Sequence, residues 1–328
     1  MVLQVTLSAN RAVVDRLSGY VIPLTTPFDG VREVDYDALC FNVNRTLDLP
    51  GCGGIYIGSV YQEFWTLTTA ERIAITRTVA DEVRGRVPVV AGVSSGSLKT
   101  TIELAEAALE AKADMLMAWP PIFGPRDSAG VLRFYEGLVQ HVPLATCVYS
   151  TSLDELGFYL DESLLRELAA LPPICVVKEA SFNITTYLHL VETLGDRLAI
   201  STPFDEYWML AKLALPTKTP DFLMGASRPL YMQSPGQPNF SRILELVRNN
   251  QVEDAYRILA GLSDMIQDLQ MESFQSGRHP IAMVKYAASR LGMRGTTVRP
   301  PTPELTASEK KKVDEMLGRL RLVPDQVR

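Results

Sequence analysis

Over roughly the first 235 residues, short apolar runs alternate with longer stretches in which apolar residues recur every three or four positions. Side chains alternate faces along a strand and return to one face every 3.6 residues of a helix, so the first kind reads as buried strand and the second as amphipathic helix. The strands fall at Val21–Thr26, Gly54–Ile57, Val87–Gly92, Asp114–Met117, Ala145–Tyr149, Ile174–Lys178, Leu198–Ser201 and Phe222–Met224. Between them lie helices at Tyr36–Leu49, Thr69–Val83, Ser97–Ala111, Ser128–His141, Leu160–Leu171, Asn183–Leu194 and Phe204–Leu213, with Thr69 and Ser97 as capping residues. Repeated β-then-α units of this total length fit an α/β fold of the (β/α)8 TIM-barrel type. An open doubly wound sheet is the alternative, but no G-x-G-x-x-G follows the first strand. Beyond Pro238 the pattern is helical only, with helices at Phe240–Asn249, Val252–Glu272, Pro280–Leu291 and Ser308–Leu322. In the last of these, Val313, Met316, Leu317 and Leu320 form one apolar stripe, and Lys310 to Lys312 face water. The division is therefore a barrel over 1–235 and a C-terminal α-helical extension over 236–328.

Composition narrows the partners. With 328 residues, 47% of them hydrophobic, the chain can bury a large core, and its net charge of −6 disfavours nucleic acid and anionic membrane surfaces. Its most apolar run, Met115 to Phe123, holds two prolines and is too short to span a bilayer. Arg11, Asp15 and Arg16 interrupt the stretch from Met1 to Gly19, so no signal peptide is read there and a cytoplasmic location is expected. Cys40, Cys52, Cys147 and Cys175 lie far apart and read as buried free thiols. The three histidines, His141, His189 and His279, are widely separated, which argues against a His-ligated metal and against Ser-His-Asp chemistry. No metal and no cofactor are expected, leaving Lys, Tyr, Ser/Thr and carboxylates to do the work.

In a parallel barrel the active site lies at the C-terminal ends of the strands. Tyr149 closes Ala145-Thr-Cys-Val and Lys178 closes Ile174-Cys-Val-Val, on what read as the fifth and sixth strands. Neighbouring strands lie about 4.8 Å apart, so phenol and amine can meet. An amine among Val176, Val177 and Ala180 is desolvated, which favours the neutral form that attacks a carbonyl. The alternative is a lysine paired with a carboxylate, but Glu179 points to the opposite face of the strand. After the second strand, Gly58-Ser59-Val60-Tyr61-Gln62-Glu63 reads either as a plain loop or as a turn aiming amides and a hydroxyl at an anion.

Together these segments resemble the dihydrodipicolinate synthase / N-acetylneuraminate lyase family of Schiff-base pyruvate enzymes. The resemblance is carried by Ile22-Pro-Leu-Thr-Thr-Pro-Phe, Gly53-Gly-Ile-Tyr-Ile-Gly-Ser with Glu63 and Leu67-Thr, Val90-Ala-Gly-Val, Pro120-Pro-Ile-Phe, Val148-Tyr149, Val177-Lys178-Glu-Ala-Ser, Val284-Lys-Tyr-Ala-Ala and Val298-Arg-Pro-Pro. It implies a (β/α)8 barrel with a helical extension, assembled as a homotetramer or homodimer. It makes Lys178 the Schiff-base lysine, Tyr149 the proton-relaying phenol and Ser59 the relay hydroxyl that also helps hold a 2-keto acid's carboxylate. Gly58, Val60 and Tyr61 would line the substrate site with it.

Three departures bear on substrate. Val60 and Tyr61-Gln62 stand where the family motif, Gly-Thr-Thr-Gly-Glu or Gly-Ser-Thr-Gly-Glu, has a hydroxyl residue and one glycine. The family's tyrosine after the fourth strand is replaced by Ile122 or Phe123, so the relay lacks that hydroxyl, and Tyr61 is a candidate to supply it. The segment from Ser150 to Leu160 has two acids and none of the arginine with which the synthases hold an anionic aldehyde, which argues against the lysine-biosynthetic reaction. Phe64, Trp65, Trp119, Phe123, Phe158 and Phe182 are candidate walls, with Trp119 and Phe123 placed at the mouth. Such walls suit an apolar or aromatic aldehyde better than a sugar acid. Asp205 and Glu206, after the seventh strand, read as solvated acids at a helix start, with binding of a polar group as the alternative. The expected activity is a class I aldolase or lyase joining or splitting pyruvate, or another 2-keto acid, and an aldehyde. The alternatives are a 2-keto-3-deoxy acid dehydratase using the same imine, and a keto-acid-binding relative without turnover.

Overall fold

The computed structural model describes residues 10–152, 158–271 and 279–322. Eight strands, β1 (Gly19–Pro23), β2 (Cys52–Ile57), β3 (Val89–Gly92), β4 (Met115–Ala118), β5 (Thr146–Thr151), β6 (Ile174–Ala180), β7 (Ala199–Ser201) and β8 (Phe222–Met224), pair in parallel in the order β7-β6-β5-β4-β3-β2-β1-β8. This is the expected (β/α)8 barrel, nearly closed. At the seam between β7 and β8 a side chain supplies the link: the Ser201 hydroxyl donates to the Phe222 carbonyl (2.9 Å) and accepts from Met224 N–H (3.0 Å).

Strand periodicity sorts the residues. Ala145, Cys147 and Tyr149 of the β5 region, Val176 of β6 and Phe222 and Met224 of β8 fill the barrel, while Val148, Val177 and Ile200 pack outward against the helices. Helices Tyr36–Leu47, Thr69–Val83, Leu98–Glu110, Ser128–His141, Glu162–Leu168, Ile184–Leu194 and Asp205–Ala214 follow the first seven strands. The cap of the second is Thr68 rather than Thr69. Its side chain accepts from Glu71 N–H while Glu71 reaches back to Thr68 N–H, a reciprocal arrangement that Thr69 cannot make.

Helices Asn239–Arg248, Val252–Gly261, Ile281–Arg290 and Ala307–Arg319 form the extension. Val313, Met316 and Leu317 are buried beneath exposed Lys310 to Lys312, as the spacing predicts. The single helix expected from Val252 breaks after Gly261, continues through Ser263–Met265 and ends in a π-helical turn, Ile266–Met271. Glycine is a poor helix former, and the wider π turn lets the successive residues Leu269 and Gln270 both be buried. Expected residue Glu272 lies outside the described residues. The extension shares its core with the outside of the barrel: Tyr20 and Leu223 pack with Phe240, Ile243, Val284 and Leu317. A buried ion pair reinforces this join, since Lys285 Nζ lies 2.6 Å from Glu63 Oε1 and both side chains are inaccessible to solvent. The four cysteines are free, but only Cys147 is fully buried. Among the described residues no helix is long and apolar enough to cross a membrane.

Candidate active site

Tyr149 and Lys178 are register partners across β5 and β6. Each strand runs two residues beyond them, because the polar groups that follow still find partners: Thr151 Oγ donates to the Ala180 carbonyl at 3.0 Å, and Leu160 N–H to Ser150 Oγ at 3.0 Å. Both Tyr149 and Lys178 point into the barrel, and Lys178 Nζ stands 4.6 Å from the centre of the Tyr149 ring and 5.5 Å from that of Tyr56. Trp119 stacks on Tyr149 at 5.1 Å, and Phe64 packs edge-on against Trp119 at 5.2 Å. These rings displace water from the amine, and burial pulls Lys178 down from 10.5 to about 8. Among the described residues Lys178 makes no ion pair. Glu179 points outward, its Oε1 accepting from Ser181 N–H at 2.9 Å, and burial raises its carboxyl to about 7. Burial also raises Tyr149, with neighbouring Tyr61 adding to the effect.

Around this pair lies a cavity of about 40 Å³, enough for a few water-sized groups. Of the residues singled out by sequence, Lys178, Tyr149, Val60, Tyr61 and Trp119 line it. Gly58 and Ser59 sit one step back, at the base of the loop. Gly58 has φ +67°, and a Cβ there would meet the Gly92 carbonyl oxygen at 2.4 Å. Ser59 Oγ is buried and has no hydrogen-bond partner among the described residues, an arrangement that leaves its donor free for a ligand. Phe123 lies elsewhere. It is 75% exposed and flanks a separate surface depression with Ser97, Pro121 and Arg133, because Pro120 and Pro121 carry the chain out over the next helix. Phe182 lines the cavity, Phe64 backs it, Trp65 is 39% exposed, and Phe158 packs against the outer core. The acidic residues Asp154 and Glu155 after β5 lie outside the described residues.

Asp205 is not solvated, and Glu206, 35% exposed, is partly so. Arg228, fully buried, lies 3.0 Å from Asp205 and 2.6 Å from Glu206, and Tyr20 O–H donates to Asp205 at 2.6 Å. Burial alone would lower Arg228, but the two carboxylates outweigh it and hold the guanidinium firmly protonated. Both acids are thus spent on Arg228.

Sequence reasoning missed Tyr56, Phe204, Gly225, Ser227 and Gln270, which line the cavity as well, with Ala180 and Pro203 filling the rest of its wall. Gly225 and Ser227 follow the apolar run of β8 just as Lys178 and Tyr149 close theirs, so the same rule would have found them. Gly225 leaves room for the lysine: at φ +76°, a Cβ there would lie 2.6 Å from Lys178 Nζ. Among the described residues no group of three His, Cys, Asp or Glu could hold a metal.

A parallel (β/α)8 barrel with a lysine buried near the C-terminal end of β6, unpaired among the described residues, and a tyrosine beside it on β5 places its candidate site where barrel enzymes carry theirs. The sequence profile of the dihydrodipicolinate synthetase family matches residues 16–320, and the chain belongs to that family, a family of pyruvate-dependent carbon–carbon lyases. It is 36% identical over 201 residues to a 4-hydroxy-tetrahydrodipicolinate synthase of Sorangium cellulosum, covering 61% of this chain and 66% of that one. It is 27% identical over 305 residues to the enzyme of the same name from Acidithiobacillus ferrooxidans, covering 93% and 99%. The fold matches that of YagE from E. coli, solved in complex with pyruvate, with a TM-score of 0.81 at 20% identity over 93% of this chain and 99% of that one.

Proposed function

We propose that the protein is a class I aldolase in which Lys178 forms a Schiff base with pyruvate or a close 2-keto acid and joins it to, or splits it from, an aromatic or apolar aldehyde. The observation that carries this reading is the buried Lys178 amine, lowered to about 8, facing Tyr149 in a cavity walled by Tyr56, Trp119, Phe182 and Phe204. A neutral amine attacks the keto carbon, and loss of water leaves an iminium that withdraws electrons from C3. The enamine formed by losing a C3 proton is the carbon nucleophile, and Tyr149 is placed to move protons at C2 and C3. The unpartnered Ser59 hydroxyl, with amides of its loop, holds the carboxylate. Here Lys178 is the only cationic side chain among the described residues that line the cavity, so a neutral aldehyde fits better. The homotetramer or homodimer implied by the resemblance belongs to the same proposal and is read by sedimentation velocity.

The test is borohydride reduction in the presence of pyruvate, followed by peptide mass mapping and a screen of aliphatic, aromatic and sugar aldehydes for condensation products. An adduct on Lys178 that vanishes in Lys178→Ala, with turnover of aromatic aldehydes, is expected. Absence of the adduct, or its persistence in the variant, overturns the lysine. Turnover confined to sugar or anionic aldehydes overturns the substrate class.

A further inference from the structure

Helix Thr69–Val83 sends one cation into the core behind the aromatic wall of the cavity. Arg72 is 8% exposed, and among the described residues it pairs with no carboxylate. Its fork closes instead on two carbonyls at the end of β3: Nη1 donates to Ser94 O at 2.8 Å and Nη2 to Gly92 O at 2.9 Å, while Nε is buried without a partner. Burying an unpaired cation opposes folding, and here burial pulls Arg72 down from 12.5 to about 10. An apolar side chain would fill the same space without that penalty, so the guanidinium is kept for what it holds. Two of its contacts converge on Trp119. Ser94, whose carbonyl Arg72 binds, accepts the Trp119 N–H on its Oγ at 2.9 Å. The guanidinium also lies 5.2 Å from the centre of the Phe64 ring, and Phe64 meets Trp119 edge-on at 5.2 Å. Trp119 is therefore held at its backbone by one support and at its ring by the other, and it stacks in turn on Tyr149 at 5.1 Å. The remaining contact, to Gly92, fixes the strand end against which Gly58 packs.

Resting on the aldolase reading, we propose that Arg72 is the positioning residue that sets the plane of Trp119, and through it the preference of the cavity for an aromatic aldehyde over an aliphatic one. Aromatic pairs favour offset or edge-on geometry, so an aromatic aldehyde gains from Trp119 only while that ring keeps a fixed plane. An aliphatic chain draws its contact from buried area and is far less sensitive to the tilt of the ring. The planar fork is what the arrangement needs. It holds two carbonyls at once and offers a flat face to Phe64, whereas a lysine keeps the charge as a single point and can do neither together. Arg72 itself is not among the residues that line the cavity, so its influence on the aldehyde passes through Trp119.

The test compares Arg72→Lys and Trp119→Leu, singly and combined, with the wild type. Four quantities are read: borohydride-trapped pyruvate adduct, kcat/KM with benzaldehyde, kcat/KM with butanal, and tryptophan emission. Arg72→Lys should lose about threefold to tenfold of the preference for benzaldehyde over butanal, the worth of one well-placed aromatic pair, with adduct and butanal turnover within about threefold of wild type. Its emission should move to the red as Trp119 loosens toward water. Trp119→Leu should lose the preference as well, and adding Arg72→Lys to it should cause no further loss and no further emission shift, because no ring is left to misplace. An unchanged preference in Arg72→Lys overturns the inference. So does an equal fall with both aldehydes, which is what a merely structural arginine would give. Losses that multiply in the double variant, or an emission shift that persists without Trp119, overturn the route through Trp119. Absence of an adduct in the wild-type protein would overturn the aldolase reading itself, and the emission comparison would still show whether Arg72 holds Trp119.

Discussion

Replacing Lys178 by methionine should make the protein more stable at neutral pH, and the gain should shrink as pH rises. The folded amine titrates near 8 against 10.5 for a free lysine, and each unit corresponds to about 1.4 kcal/mol. At pH 7 both folded and unfolded chains carry the proton, so the folded state bears nearly the whole cost of a charged amine among aromatic rings, about 3 kcal/mol. Between pH 8 and 10.5 the folded amine is neutral while the unfolded one still binds a proton. The unfolded state binds more protons there, so this group's contribution to stability rises with pH. Burial pushes Cys52 up to about 11 and Cys175 to about 12, and these thiols work in the opposite sense above pH 9. They are common to both proteins and cancel in the difference. Methionine has nearly the same length and can pack against Tyr56 and Tyr149 without charge. Urea unfolding of wild type and Lys178→Met should therefore show the variant more stable by about 3 kcal/mol at pH 7 and by only about 1 kcal/mol at pH 9.5. A gap that does not change with pH, or a wild type more stable at pH 7, would refute the claim that Lys178 is held in an uncompensated apolar site.

The same value governs reactivity: the initial rate of pyruvate trapping should rise about tenfold from pH 7 to pH 9 as the neutral amine fraction grows, and a flat profile would count against the low amine value. Gly225→Ala puts a methyl group against Lys178 Nζ in a left-handed backbone conformation; adduct formation should drop at least tenfold, with about 1–3 kcal/mol lost in thermal or urea unfolding, and wild-type trapping would show that the lysine does not need that space. Tyr149→Phe should lower turnover by about 100-fold while adduct formation falls much less, and unchanged turnover would remove this phenol from the reaction. Lys285→Met strands the buried Glu63 carboxylate and should cost about 3–5 kcal/mol in urea unfolding, more than half of it recovered in Glu63→Leu/Lys285→Met; a cost below about 1 kcal/mol would mean that water reaches the pair.

The barrel was legible because its strands are buried on both faces, which writes each as an uninterrupted apolar run with little competing signal. For the same reason Lys178 and Tyr149 stood out, as lone polar groups closing such runs. What the pattern could not show is where a polar group after an element goes. Asp205 and Glu206 look like any acids in a first helical turn, and only the return of the chain 22 residues after Glu206, with Arg228 driven into the core beside Pro229 and Leu230, pairs both acids and buries Asp205. Phe123 looked like a wall because it follows a strand closely, yet two prolines redirect it to the surface. Gln270 carried no signal at all, since its place depends on a helix losing its regular hydrogen bonding near the cavity.

The fate of the two acids also bears on the role proposed for Lys178. Asp205 begins the helix after β7, the strand paired with that of Lys178. A carboxylate free to turn toward the cavity would favour the ammonium form of Lys178 and raise it back toward 10, costing the neutral amine that attacks a carbonyl. It would also offer the convergent acceptors that a polyol needs. By engaging both acids, Arg228 removes the two effects at once, and its Nε–H holds the Gln270 amide oxygen at the cavity wall. One buried guanidinium thus keeps two carboxylates paired away from the amine and out of the cavity lining. On the proposed aldolase reading, low amine basicity and a preference for a neutral aldehyde therefore share a structural cause, so loss of one through this network should be accompanied by loss of the other.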